Sequence, residues 1–432
     1  MSVNSTDLPE WIEIYENLAR KFRVAADHIL KLDSKEKADL ISKTDEFRER
    51  FVLYVVEEST IEEARAWIDH LLNQLEDIKK ILKLRGVTLT RELKSFIEDP
   101  LLHLKKKVFI YTFELLSGNI SLYEFASKAA AAVRTSLRTN MRTLYQTWVF
   151  LALLKKIAEG GRLIYPEHGY LYLERSAKQK TGIIPPNCIA KSADGRVLSF
   201  FIEAPRPIAW EDTSDLRRIW RLYVALRPDF LVYGGSIMNI VDLNNNPPIK
   251  RPNVIVECKE LEDWYKRVRD LKGWWSKAIS AEEWRALWLK GLIEGLAEAI
   301  GVKAKGDFKR KDERRGLRVK EYKLVQIYKR VYNPDSMILI ARTEIPSDIK
   351  SEVEDYGLEV YDNIGFEEDK LLDVAEELLH YGKREDKGLT DVLREVLGER
   401  YSELDKKVLN KALVLLVKRH REELLELLHE VT

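Results

Sequence analysis

Two apolar runs decide the fold of this chain: "RPDFLVYGG" at residues 227–235 and "RPNVIVECKE" at residues 251–260. Both runs are continuously apolar, which predicts strands buried on both faces of a sheet. Asp229 stands at the head of the first run, and Glu257 and Lys259 close the second. The residues between them are rich in Gly, Asn and Pro and predict an exposed connection. If the strands are neighbours, their charged side chains meet at one end of the sheet.

Two carboxylates placed side by side are unfavourable unless a cation lies between them. Mg²⁺ suits such a pair because it prefers oxygen ligands and keeps several waters, and Mn²⁺ is expected to substitute for it. Since side chains alternate along a strand, Glu257 and Lys259 face one side and Cys258 the other, which leaves the Cys258 carbonyl as a third ligand. Lys259 would stabilise a hydroxide nucleophile and the charge that develops on phosphorus. The set predicts phosphodiester hydrolysis.

Helical periodicity dominates the chain before residue 160. Apolar residues recur every three or four positions from Trp11 to Ile97, which predicts an all-helical domain over residues 1–120. Its acidic clusters disfavour contact with phosphates, so a scaffold or protein-contact role is expected. A second helix is predicted from about Ser121 to Glu159, where Gly160-Gly161 ends it.

Short strands and helices follow. Four strands are predicted before the two opening runs, at Arg162–Tyr165, Tyr170–Leu173, Ile189–Lys191 and Val197–Glu203. After those runs the pattern predicts a helix with a capping box at Ser280 and Glu283, a helix at Val319–Tyr332, a strand at Met337–Ala341, a helix at Ser347–Tyr356 and a strand at Leu358–Tyr361. We therefore expect an α/β domain over residues 121–383 and a C-terminal helical extension over residues 384–432.

Pro228-Asp229 and Glu257-Cys258-Lys259 resemble the signature of the PD-(D/E)XK nuclease superfamily. The resemblance spans roughly residues 130 to 365 and implies a restriction-endonuclease-like αβββαβ core, with a mixed central sheet flanked by helices. It implies an Mg²⁺-dependent nuclease with Asp229, Glu257 and Lys259 as catalytic residues. A narrower likeness to McrC-type defence nucleases lies in "RTLYQTWVFLALL" and "LRPDFLVYGG". Many superfamily members carry a glutamate on the first core helix, where this chain has Gln146, an amide that could still contact water or phosphate.

Because the chain as a whole is nearly neutral, with Lys+Arg 72 against Asp+Glu 71, contact with nucleic acid is expected through local basic patches. The resemblance implies DNA rather than RNA as the partner. One patch, with a glutamine on the same segment, consists of Lys309, Arg310, Arg314, Arg315, Arg318, Lys320, Lys323 and Gln326. A second consists of Arg134, Arg138 and Arg142, which share one helix face. A solvated loop and an exposed basic helix face are the alternatives. Trp274-Trp275 could stack on unpaired bases or fill a core or interface.

Composition excludes several other classes. The two cysteines, Cys188 and Cys258, and the lack of a signal peptide or long apolar run predict a reducing, cytoplasmic location without a membrane span. The scattered histidines disfavour a structural zinc site, and no phosphate-binding loop motif of an NTPase is present. The charged content of 33% is a tendency of proteins from hot environments.

Two other functions stay open at this point. The same fold could bind nucleic acid or assemble a complex without hydrolysis, which metal binding would test. The chain could also be a helical interaction protein that acts through residues 1–120 and 385–432, as a homodimer or with a partner protein.

Overall fold

The computed structural model describes residues 9–21, 34–174, 184–204, 206–207, 222–223, 227–240, 242, 250–270 and 318–384. Contacts divide the chain into two compact units, Met1–Lys383 and Arg384–Thr432. The predicted boundary at residue 120 falls inside the first unit. The predicted helix at Ser280, the pair Trp274-Trp275 and residues 385–432 lie outside the described residues.

Five helices form most of what the structure describes of the N-terminal part, and their apolar faces pack on one another. They are α1 (Glu10–Lys21), α2 (Ser34–Val56), α3 (Glu58–Ile81), α4 (Arg91–Glu98) and α5 (Pro100–Leu116). Asp99 caps α5 by accepting a hydrogen bond from the Leu102 N–H, and Pro100 occupies the first turn, where no N–H is needed. The helical periodicity of the sequence is confirmed here.

The long helix α6 (Leu122–Ala158) connects this bundle to the sheet. It begins with a capping box, in which the Glu124 N–H donates to the Ser121 Oγ and the Ser121 N–H donates to the Glu124 carboxylate. Val133 and its neighbours pack in the bundle, whereas Leu151 and Leu154 are fully buried against the sheet. The helix ends where predicted, and a Cβ at Gly161 would collide with the Lys191 carbonyl, so only glycine fits there.

One mixed sheet forms the second layer. Its strands are β2 (Arg162–Tyr165), β4 (Cys188–Lys191), β5 (Arg196–Ile202), β8 (Phe230–Gly234), β9 (Val254–Lys259), β12 (Ser336–Ala341), β13 (Glu359–Tyr361) and, off the main path, β14 (Lys383–Arg384). The order is β13-β12-β9-β8-β5-β4-β2; β13, β12 and β9 are parallel, and the strands from β9 to β2 are antiparallel to their neighbours. The predicted α/β class is confirmed.

Three further helices cover or border the sheet: α7 (Glu321–Tyr332), α8 (Ser347–Asp355) and α9 (Leu372–His380). Short 3₁₀ helices lie at Trp264–Lys266 and Glu368–Leu371. Asn333 ends α7 in the left-handed conformation, with φ 46°, just before Pro334. Because α7 lies between β9 and β12 in the chain, the parallel pair is joined through a helix, as parallel strands require.

Three pairs of short strands lie outside the main sheet. The parallel pair is β1 (Gly86–Thr88) with β3 (Tyr170–Tyr172), and the antiparallel pairs are β6 (Arg206–Pro207) with β7 (Leu222–Tyr223) and β10 (Val268–Asp270) with β11 (Arg318–Lys320). β11 corrects the predicted start of α7, because Val319 pairs with β10 and the helix begins at Glu321. Within the described residues, no helix has the length and apolar character needed to cross a membrane.

Candidate active site

The ends of β8 and β9 bring the two predicted carboxylates together. The backbone pairing of β8 with β9 ends at Phe230, which lies opposite Val256. Beyond this pair, side chains make the contacts between the two strands. The Asp229 N–H donates to the Glu257 Oε2 at 3.2 Å, and the Cys258 N–H donates to the Asp229 Oδ2 at 2.7 Å. Asp229 and Glu257 are both buried. Each carboxylate therefore holds the backbone of the opposite strand.

Lys259 lies between two carboxylates. Its Nζ donates to the Glu257 Oε1 at 2.9 Å and to the Glu321 Oε1 at 3.1 Å, and its side chain is 3% exposed. The ammonium also lies 5.5 Å from the centroid of the buried Trp264 ring. Glu257 and Lys259 thus share one face of β9, as predicted, while Cys258 packs in the core on the other face.

The cluster carries more negative than positive side chains. Burial raises the pKa of Asp229 well above its ordinary value, and the neighbouring Glu257 raises it further, against the opposing effects of Lys259 and Arg142. Burial likewise raises the pKa of the adjacent Glu260. A low-dielectric site with crowded carboxylates gains by taking up positive charge.

Arg142 and Glu203 extend the cluster toward α6 and β5. A terminal nitrogen of Arg142 lies 3.9 Å from the Glu203 Oε1, and the Glu203 N–H donates to the Asp229 carbonyl at 2.8 Å. Glu203 has φ 41°, a left-handed conformation that costs a non-glycine residue on the order of 1 kcal/mol. Such strain directly beside Asp229 is typical of functional sites.

A small hollow of about 100 Å³ opens beside Lys259. Its walls include Arg138 and Arg142 from α6, Arg267 and Trp264 from the loop after β9, and Glu321 at the start of α7. The Glu321 N–H donates to the Arg267 carbonyl at 2.9 Å, which fixes the start of α7 against that loop. Three guanidinium groups around one hollow next to a carboxylate cluster suit a phosphate with a bound cation.

The two predicted glutamines occupy different environments. Gln146 is 3% exposed, lies on α6 close to Glu203 in the wall of a larger cleft, and its Nε2 has no hydrogen-bond partner among the described residues. Gln326 is fully buried with the apolar side chains of α7, so it does not lie on the surface where we predicted a nucleic-acid contact. Its helical period places it on the core-facing side of α7.

The remaining predicted basic residues divide into four groups. Arg134 and Arg138 are exposed on α6, so they are accessible on the basic helix face predicted from the sequence. Lys320 is exposed at the start of α7, whereas the half-buried Lys323 forms an ion pair with Glu352 and is less available to a phosphate. Arg318 belongs to β11. Lys309, Arg310, Arg314 and Arg315 lie outside the described residues.

The donor set fits a hard divalent cation. No group of three or more His, Cys, Asp or Glu side chains stands at ligand spacing in the part of the chain that the structure describes. Mg²⁺ does not require such a group, because it binds through one or two carboxylates and keeps its waters. Asp229 and Glu257 provide that pair, and burial first, with the neighbouring Glu257 second, raises the pKa of Asp229.

Sequence reasoning missed three acidic residues of the cluster, Glu203, Glu260 and Glu321. Glu203 ends an apolar run as Glu257 does, so the same signal could have found it. Glu321 lies in a basic segment far along the chain, and the pairing of β10 with β11, with the bond from its N–H to the Arg267 carbonyl, brings it to Lys259. The chain matches no protein-family model, no curated protein and no solved structure.

Proposed function

We propose that this chain is a Mg²⁺-dependent nuclease of the PD-(D/E)XK type that hydrolyses phosphodiester bonds of DNA. The observation that carries the proposal is the convergence of Asp229, Glu257 and Lys259 in one buried cluster at the ends of two neighbouring strands. The order α6, β5, β8, β9, α7, β12 supports it, because it is the helix, three strands, helix and strand that the superfamily resemblance implies.

Each residue has a role in this proposal. Asp229 and Glu257, with the Cys258 carbonyl, would hold the cation, and Mn²⁺ would substitute for Mg²⁺. A bound Mg²⁺ supplies a Lewis acid that polarises the phosphoryl oxygen and lowers the pKa of water. The Lys259 ammonium stabilises the attacking hydroxide and the negative charge that grows on phosphorus. Arg138, Arg142 and Arg267 orient the phosphate.

The test is cleavage of end-labelled single-stranded and duplex DNA in the presence of Mg²⁺ or Mn²⁺. We expect the wild-type protein to cut and Asp229→Asn to lose at least about a thousandfold in rate, because the cation loses a carboxylate ligand and the transition state loses its electrostatic stabilisation.

Asp335→Asn is the matched control. Asp335 is a carboxylate at the opposite end of the same sheet, where it pairs with Arg251 at 2.7 Å, so its loss should leave cleavage unchanged. Failure of the wild-type protein to cut any of these substrates, or equal rates in wild type and Asp229→Asn, would overturn the proposal and favour the non-hydrolytic binding module.

A further inference from the structure

A second cavity, far larger than the hollow beside Lys259, lies between the helical bundle and the sheet. This cleft encloses about 880 Å³, within the range of pockets that hold small organic ligands. One wall is a continuous face of α6, from Lys128 to Phe150, and the others come from α5 and the sheet. Glu203 and Phe230 line it as well, and Phe230 directly follows Asp229. The cleft therefore leads to the proposed active site.

The lining is mainly apolar, and most of its polar groups are uncharged. The α6 wall presents hydroxyl and amide groups along its length, including Thr135, Thr139, Thr143 and Asn140. Phe150 and Phe230 border the cleft as buried core residues, each 2% exposed, and add apolar wall rather than an open ring face. Among the described lining residues the cations are Lys107 and Lys128, and Lys107 is paired with Glu92. Such a lining suits a flat, uncharged group with hydrogen-bonding edges better than it suits a phosphate.

Gln146 indicates that the cleft is built for a ligand. Its side chain is 97% buried, as 3% of its surface is exposed, and it lines the cleft. Its Nε2 has no hydrogen-bond partner among the described residues. Leaving a buried amide donor unpaired costs about 1–3 kcal/mol, which a ligand acceptor would recover.

The cleft and the arginine hollow are neighbours on α6 and meet at Thr139. Thr139 lines both cavities, Arg138 and Arg142 point to the hollow, and Thr143 and Gln146 line the cleft. A nucleotide could use both cavities, because its anionic phosphate suits the arginine hollow and its flat base with polar edges suits the cleft.

We propose that the cleft binds the bases of unpaired DNA, while the adjoining phosphate lies in the arginine hollow. This inference rests on the proposed nuclease function and specifies its substrate as single-stranded DNA or DNA with an unpaired end. A blunt duplex keeps its bases paired and stacked, so it cannot place one in the cleft without opening.

The experiment measures DNA binding separately from cleavage. Thr135→Trp and Ala131→Trp fill the cleft from exposed positions on its α6 wall, and Ser127→Trp is the matched control at an exposed position on the same helix that does not line the cleft. Each is made in the Asp229→Asn background, and circular dichroism checks that each is folded. Fluorescence anisotropy with EDTA then compares a single-stranded oligonucleotide with a blunt duplex.

We expect each cleft-filling substitution to raise the dissociation constant for the single strand at least about tenfold, because the bulky ring occupies the space of the base. Ser127→Trp should leave it unchanged, and blunt-duplex binding should change less than about twofold in all variants. Unchanged single-strand binding in whichever cleft-filling variant folds, or an equal loss for the duplex, would overturn the inference. If these binding results hold but wild type cuts no DNA, the nuclease proposal fails and the cleft assignment stands.

Discussion

At the scale of single residues, the site consists of ionised groups that a stable core would normally exclude. The side chains of Lys259, Glu257 and Glu321 are 3%, 6% and 9% exposed, and they are paired with one another. Desolvating such groups costs several kcal/mol per ion, and mutual attraction often fails to offset it. Three hydrophobic side chains at these positions would pack with a smaller desolvation penalty. The proposed catalytic role would account for keeping these residues in spite of that cost.

Removing Lys259 should destabilise the protein measurably. In Lys259→Met, Glu257 and Glu321 lose their shared cation while both stay buried, so we expect the free energy of unfolding to fall by about 3 kcal/mol. Urea denaturation at neutral pH measures it. The control is Lys323→Met, which breaks the half-buried pair with Glu352 and should cost less than about 1 kcal/mol. Equal losses in the two variants would show that Lys259 is not held as described.

The sequence predicted the three central charged residues of the site but not the acidic residues around them. Asp229, Glu257 and Lys259 were recognisable because charges rarely end strands that are apolar throughout. Glu203 carries the same signal. Glu321 and Gln326 have none, because Glu321 reaches Lys259 through tertiary pairing, and Gln326 takes a core position on a helix that reads as basic. Lysines and arginines lie between the apolar positions of α7, so the sequence does not reveal that Gln326 is buried.

At the scale of elements, α6 organises the molecule. Its N-terminal half packs in the helical bundle and its C-terminal half under the sheet, and its middle carries Arg138, Arg142 and Gln146 to the two cavities. Consecutive side chains from Leu144 to Leu154 are all buried. This second half of α6 is buried on every side and has no exposed polar face. The predicted exposed arginine stripe is therefore limited to the first half of the helix.

A buried histidine between α5 and α6 should make stability depend on pH. The His103 Nε2 lies 3.2 Å from the Ser136 Oγ and 3.3 Å from the Asn140 Nδ2. Burial lowers the pKa of His103 below its ordinary value of 6.5, and Lys107 and Lys106 lower it further, against the opposing Glu92. As the pH falls, His103 is therefore protonated in the unfolded chain before it is protonated in the folded protein. The free energy of unfolding consequently decreases below about pH 6.5.

The measurement is the free energy of unfolding from urea titrations at pH 5 and pH 8. We expect the difference between the two pH values to shrink in His103→Gln, because glutamine does not titrate. An unchanged pH difference in His103→Gln would contradict the account of this histidine.

Elements with strong periodicity were predicted within one or two residues. The strands β8, β9 and β12 follow apolar runs, and α6 lies between a capping serine and a glycine pair, so local sequence determines them. The short strands β1, β10 and β11 were not predicted. Each has three residues without an alternating pattern and forms through a partner strand that is distant in sequence.

At the scale of the whole molecule, the bundle and the sheet share a core. The Trp67 ring of α3 lies 5.3 Å from Phe366 in the segment after β13, and the Arg342 guanidinium lies 4.6 Å over the same Trp67 ring. Arg342 also donates its Nε–H to the Glu260 carbonyl at 2.7 Å. The helical part thus supports the backbone of the site directly.

Residues 121–383 should fail to fold without residues 1–120. The truncation would expose Phe125, Ala129 and Val133 of α6, which pack in the bundle, and the apolar residues that contact Trp67. Circular dichroism and size-exclusion chromatography of the fragment test this, and we expect aggregation or loss of a cooperative thermal transition. A monomeric fragment with a sharp transition would contradict the shared core and support a domain boundary at residue 120.

Cation binding by the carboxylate pair is the central claim, and calorimetric titration with Mn²⁺ tests it most directly. We predict that wild type binds Mn²⁺ at millimolar concentration or below, and that Asp229→Asn binds it at least about tenfold more weakly, a difference of about 1.4 kcal/mol. No heat of binding in wild type, or the same affinity in both proteins, would contradict the account.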